Sequence, residues 1–136
     1  MIKLTGKLHY DHTEEYGYRL VLEICPGIPL FYRWLIPKWY PISGGLRAKA
    51  HITVIRKERP ANLKPWGKYE GEIVEYEYDP DLQTDGRLYW WLNAYSHRLE
   101  QIAEELGMVP FVNYIKPAKG YRKVWHTTVA NMKQTN

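Results

Sequence analysis

Two segments of this chain follow one pattern, His51-Ile52-Thr53-Val54 and His126-Thr127-Thr128-Val129: a histidine, a spacer, a threonine and an aliphatic residue. They lie about half a chain length apart. Both sit in β-branched runs, which fit a pleated, half-buried surface. Side chains alternate along a strand, so His51 and Thr53 project from one face and Ile52 from the other. His126 and Thr128 pair up in the same way, with Thr127 turned away. A fold that brings the two motif faces together places two imidazoles and two hydroxyls around one cavity. That set suits phosphodiester cleavage without a metal: one histidine takes a proton, the other gives one, and the hydroxyls hold phosphate oxygens. The competing reading of the same residues is two buried strand histidines satisfied by neighbours.

The rest of the chain reads as sheet with little helix. Ile2, Leu4, Leu8 and Tyr10 alternate with polar residues, as do Tyr18, Leu20, Leu22 and Ile24, and Asp11 to Glu15 joins the two runs as a hairpin. Leu30 to Ile36 is a short helix or an irregular segment, stopped by Pro37 and Pro41. Ser43-Gly44-Gly45 is a turn, or a source of backbone N–H groups near a phosphate. Ala48 to Arg56 forms the first motif strand. Glu58 to Gly71 is a loop, and Ile73 to Tyr78 another strand. Leu88 to Leu106 carries an apolar stripe at spacings of three and four, which predicts a helix capped by Thr84 or Asp85 and ended by Gly107. Pro110 to Ile115 forms a short strand, and Tyr121 to Met132 the second motif strand, with Trp125 in the core.

These motifs resemble the signature of the 2H phosphoesterase superfamily, also called LigT-like, which carries two copies of His-x-Thr-aliphatic, one in each half of the domain. The resemblance implies a single α+β domain over residues 1–136, bilobal, with two antiparallel sheets around a central groove and helices outside. It implies that His51 and His126 are the acid/base residues and that Thr53 and Thr128 hold the phosphate. Members act on 2′,3′-cyclic phosphate ends of RNA, related cyclic phosphodiesters, oligonucleotide linkages or cyclic nucleotide signals. The gap before the first motif is shorter than in larger members and broken by proline. This is similar to the compact phage branch that destroys cyclic oligonucleotide immune signals (the anti-CBASS phosphodiesterases).

Further substrate contacts follow from position. Lys49, two residues before His51, shares its face and is a candidate phosphate contact, the alternative being a solvated strand end. Tyr121 and Lys123 stand at the mouth of the second motif strand. Trp66, in the middle of a loop, either caps a groove or stacks on a base, or folds back onto the core. Twelve tyrosines and six tryptophans exceed what a core of this size needs, and nucleobases stack on such rings. A net charge of +4 suits a phosphorylated partner.

Other chemistries have weaker support. His9 and Asp11 share a strand face but His12 does not, and no metal-binding spacing occurs, so no metal or other cofactor is expected. Cys25 is the lone cysteine, excludes an internal disulfide, and precedes a proline in an apolar strand end where thiols are inert. It fits a reducing cytoplasm. No apolar run approaches a membrane span, and the first residues lack a signal-peptide core. The expected substrate is a cyclic nucleotide or cyclic oligonucleotide. RNA ends bearing a cyclic phosphate are the alternative substrate, and a non-catalytic module that sequesters nucleotide or RNA is the alternative from another class. His97 falls on the watery side of the helical stripe, without a threonine partner.

Overall fold

Strict alternation in the first half of the chain produces three long antiparallel pairings. A computed structural model describes residues 1–15, 17–46 and 49–134. In it β1 (Ile2–Thr13) pairs with β2 (Gly17–Glu23) on one side and β4 (Ile73–Tyr78) on the other. β2 in turn pairs with β3 (His51–Arg56). Leu8, Tyr10, Leu20, Leu22, Ile52, Val74 and Tyr76 are apolar members of these alternations and are buried, whereas Ile2 and Leu4, at the start of β1, are exposed. Gly6 lies where β1 comes closest to β2. A Cβ there would sit 2.6 Å from the Glu23 carbonyl oxygen, so only glycine fits.

The second half of the chain adds β5 (Gln83–Thr84), β6 (Tyr89–Tyr95) and β7 (Trp125–Asn131). β6 is joined to β4 through the pairs Glu77/Tyr95 and Tyr78/Ala94 and to β5 through Gln83/Trp91 and Thr84/Trp90. Its other edge pairs with β7. The result is an α+β fold whose seven strands form one antiparallel sheet, joined at its middle by the short β4–β6 pairing. β3 and β7 are edge strands, as is the two-residue β5, and β3 and β7 lie close to each other without pairing, so the sheet is strongly curled.

Two helices flank the sheet among the described residues. α1 (Gly27–Arg33) is the short helix left open by the sequence, burying Ile28, Pro29 and Tyr32. α2 (His97–Glu105) packs Leu99, Ile102 and Ala103 inward. The long helix expected over Leu88 to Leu106 is therefore half strand. Trp90, Leu92 and Ala94 are buried while Tyr89 and Trp91 are only half-buried on the opposite face, the period of a strand. Tyr and Trp favour that conformation. Ser96 makes the switch. Its hydroxyl donates to the Glu75 carbonyl at 2.7 Å and accepts from the Leu99 N–H at 3.2 Å, an N-cap that starts α2 well after the predicted caps Thr84 and Asp85. Asp85 instead gathers the N–H groups of Arg87 and Leu88 in a turn before β6. Gly107, with φ +79°, ends the helix as expected.

The strand expected over Pro110 to Ile115 is absent; the segment is a loop. Asn113 holds it beside the approach to β7, donating to the Arg122 carbonyl at 2.8 Å and accepting from the Val124 N–H at 3.0 Å. One side chain thus supplies what a strand partner would have supplied. The second motif strand is shorter than expected and begins at Trp125, which is buried. The start of the first motif strand at Ala48 lies outside the described residues. No helix among the described residues is long and apolar enough to cross a membrane.

Candidate active site

The curl of the sheet brings β3 and β7 to the two walls of one cleft of about 820 Å³. His51 and Thr53 line it from β3, and His126 and Thr128 from β7. The spacers Ile52 and Thr127 point the other way and are buried, at 0% and 1% exposure.

The two motifs share a feature that spacing alone does not reveal. Along the β2–β3 ladder Val21 pairs with Thr53 and Leu20 with Ile55, so Val54 has no partner. Along the β6–β7 ladder Trp91 pairs with Thr128 and Trp90 with Ala130, so Val129 has none. In each motif the aliphatic fourth residue is the extra residue of a β-bulge. A bulge bends its strand and re-aims the neighbouring side chains, and such bulges concentrate beside functional sites.

The histidines differ in their surroundings. His51 donates from Nδ1 to the Lys49 carbonyl at 2.5 Å. A carbonyl only accepts, so this bond fixes the proton on Nδ1 and leaves Nε2 as the working nitrogen. His126 stands between Tyr89, whose ring is stacked 6.1 Å away, and Trp91, 6.4 Å away at a steep angle. It reaches solvent, yet these walls displace enough water to pull its pKa below the ordinary imidazole value, and the charges of Lys123 and His51 pull it the same way. His126 therefore favours its neutral form, while a charge on His51 is felt across the cleft.

Lys49 lines the cleft and is exposed. Lys123 also lines it, with Nζ donating to the Val112 carbonyl at 2.5 Å. Burial lowers its pKa, and Glu58 acts in the opposite direction. The Lys123 backbone is anchored by Glu100, a carboxylate of α2 that is 4% exposed. Glu100 accepts from the N–H groups of Arg122 at 2.9 Å and Lys123 at 3.3 Å, and it faces the Arg122 guanidinium. A helix is thereby tied to the chain entering the second motif strand.

Two expected contacts lie elsewhere. Trp66 packs edge-on against Tyr10 and Tyr18, with centroids 5.0 and 5.1 Å away, because the loop folds back onto the sheet instead of reaching the cleft. Tyr121 stacks on His97 at 4.4 Å in a second, smaller cavity with Tyr95 and Glu77. The strand begins only at Trp125, so Tyr121 precedes the alternation that aims residues into the cleft. Burial and a hydrogen bond to Glu77 push the Tyr121 phenol up to about 12. The remaining histidines also have partners of their own: His9 bonds Glu70 at 2.7 Å and His12 stacks on Tyr18. The Ser43–Gly45 turn is tied by its carbonyls to the Arg33 guanidinium and does not line the cleft.

The sequence reading missed the cleft wall made by Tyr89, Trp91 and Asn93 on β6, and the loop residues Asn113 and Tyr114. The wall was legible as a period-2 alternation, Tyr89, Trp91 and Asn93 against Trp90, Leu92 and Ala94, but the overlapping helical spacing obscured it. Among the described residues no three His, Cys, Asp or Glu side chains group as metal ligands. The chain matches no family model, and neither a curated protein nor a solved structure matches it.

Proposed function

We propose that the cleft is the active site of a metal-independent phosphodiesterase of the 2H type, cleaving a cyclic nucleotide or cyclic oligonucleotide. One observation carries this reading. Both His-x-Thr-aliphatic segments lie on edge strands that face each other, each with a bulge at its fourth residue, and they turn two imidazoles and two hydroxyls into one cleft. Two buried histidines satisfied by neighbours would have no reason to share that arrangement. The two-lobed architecture belongs to the same reading, its lobes being the halves of the sheet on either side of the narrow β4–β6 junction.

The roles follow from the surroundings. His126, whose pKa is lowered by its ring-lined surroundings and by nearby positive charge, takes a proton from water. The resulting hydroxide attacks phosphorus. A P–O bond to water forms as the P–O bond to the leaving sugar oxygen breaks. His51, with Nδ1 committed to the Lys49 carbonyl, delivers a proton from Nε2 to that oxygen. One water is added across one P–O bond. Thr53 and Thr128 donate to the non-bridging oxygens, where charge builds in the transition state, and Lys49 and Lys123 add positive potential.

The test is a panel of 2′,3′-cyclic nucleotides, cyclic-phosphate RNA and cyclic oligonucleotides incubated with the protein and read by mass. Cleavage of a cyclic nucleotide or cyclic oligonucleotide is the expected result. Cleavage confined to RNA ends would replace the substrate but keep the chemistry. Tight binding with unchanged ligand would replace the enzyme with a sequestering module.

A further inference from the structure

The two walls of the cleft are not equivalent, although the motifs are. Beside the first motif, the residue paired with Thr53 is Val21, 1% exposed, and the residue paired with His51 is Glu23. Beside the second motif, the residue paired with Thr128 is Trp91, and Tyr89 follows on the same face. Their rings are 5.2 Å apart, half-buried, and open to the cleft.

The Trp91 indole is held in place. Its Nε1–H donates to Asn93 Oδ1 at 2.9 Å, and Asn93 is 8% exposed and lies directly across the ladder from His126. An indole N–H only donates, so the bond fixes the Asn93 amide with its oxygen toward Trp91. The pair is a preorganised aromatic surface adjoining a candidate catalytic imidazole.

We propose that Tyr89 and Trp91 form a nucleobase subsite, so that the substrate is a nucleotide whose base stacks on the β6 wall with its phosphate beside His126. This rests on the phosphodiesterase reading and adds to it the residues that hold a base and the orientation of the substrate. A planar π-face on the β6 wall is matched by a base of any sequence, because stacking on an aromatic ring is tolerant of base identity. Among the described residues, the opposite wall, lined by Lys49, Ala50, His51, Thr53, Val54 and Arg56, carries no Tyr or Trp ring, so the stacked nucleoside lies on the His126 side. Trp91 is set by Asn93 before substrate arrives, which lowers the ordering cost of binding.

The experiment compares two substrates that differ in the base alone: a nucleoside 2′,3′-cyclic phosphate and the five-membered cyclic phosphate of a simple diol. Wild type and the Tyr89→Leu, Trp91→Leu and Trp91→Phe variants are assayed on both, after circular dichroism has shown each to be folded. The ratio of kcat/KM for nucleotide over base-free substrate is expected to fall roughly 5- to 150-fold in the leucine variants, as loss of one base–aromatic stack predicts. The loss should be mainly in KM, and Trp91→Phe should restore most of it. An unchanged ratio in both leucine variants would overturn the subsite. If wild type cleaves neither substrate, the cyclic oligonucleotides of the panel decide the phosphodiesterase reading, which fails if they too are left intact. Calorimetric binding of a nucleoside 3′-monophosphate then decides the subsite alone: weaker binding in the leucine variants keeps it, and equal binding in all variants overturns it.

Discussion

Val54 and Val129 occupy the same place in two strands that do not pair with each other: each is the unpaired residue of a bulge, one position after a motif threonine. The side-chain period of a strand is two, so an extra residue reverses which face the later residues present. Each motif can therefore keep its histidine and threonine toward the cleft while the strand beyond the bulge returns to the pattern of its partner. Val129 is 1% exposed and packs in the core. Val54 is half-buried and lines the cleft beside Thr53, so the aliphatic position belongs to the core in the second motif and to the cleft wall in the first.

His126 gives a pH dependence with a definite sign. Its folded-state pKa lies below the ordinary imidazole value, first through burial and then through Lys123 and His51. The unfolded chain therefore binds more protons than the folded one as pH falls from the unfolded pKa, about 6.5, through the lowered folded value. Stability is unaffected by this group above that window and falls on passing down through it. Urea midpoints measured from pH 7.5 to 5 should drop more steeply for wild type than for His126→Asn. In an NMR titration the His126 midpoint should lie below 6.5 and rise in His51→Gln and in Lys123→Met. The acid limb of kcat/KM should follow the same midpoint. A His126 midpoint at or above the ordinary value would contradict the assignment of this residue as base.

The threonines separate cleft from core within one motif. Thr128 and Thr53 face the cleft, whereas the Thr127 hydroxyl is buried without a hydrogen-bond partner. Loss of a hydroxyl that donates to a developing oxyanion costs on the order of 10²–10³ in kcat. Thr53→Ala and Thr128→Ala should each show a loss approaching that range, and the serine variants should recover it. Thr127→Val removes a desolvated, unpaired hydroxyl at nearly constant shape and should leave stability equal or raise it by about 1 kcal/mol. Chemical denaturation of Thr127→Val checks the second half; a large destabilisation would mean that its hydroxyl has a partner.

Glu100 is the tie between α2 and the second motif. Replacing it with leucine leaves the N–H groups of Arg122 and Lys123 without their acceptor, at a cost of about 1–3 kcal/mol for each donor left buried and unpaired. Stability should therefore fall by that order in Glu100→Leu, and Lys123, displaced from the Val112 carbonyl, should no longer depress the His126 pKa. The His126 titration reads the second effect independently of the first. Glu100→Gln keeps an acceptor oxygen and should show a smaller change in both.

The first half of the fold was legible where its strands bury one face, from Leu8 to Tyr10 in β1 and from Val74 to Tyr78 in β4; Ile2 and Leu4 of the same alternation are exposed, and in β2 Val21 is buried along with Leu20 and Leu22. Leu88 to Leu106 was not, because a strand followed by a capped helix can mimic a single helical stripe. Leu92, Tyr95, Leu99, Ile102 and Leu106 are all buried, but from two elements that meet at Ser96. That one misreading hid the Tyr89–Trp91–Asn93 wall. The motif residues themselves were legible since their face follows from strand alternation alone. Trp66 and Tyr121 were misplaced because nothing local tells a loop residue where its chain turns, and both found aromatic partners outside the cleft.

The central claim is tested most directly by turnover in the presence of a chelator, comparing wild type with His51→Ala, His126→Ala and the double variant on whichever substrate of the panel is cleaved. The account predicts full wild-type activity with chelator present. Each single variant should lose roughly 10²–10⁴-fold or more, the span of general acid–base catalysis. The double variant should lose little beyond the worse single one, because the two residues act as a unit. Activity that vanishes with chelator and returns with a divalent metal, or that survives in either single variant, would contradict it.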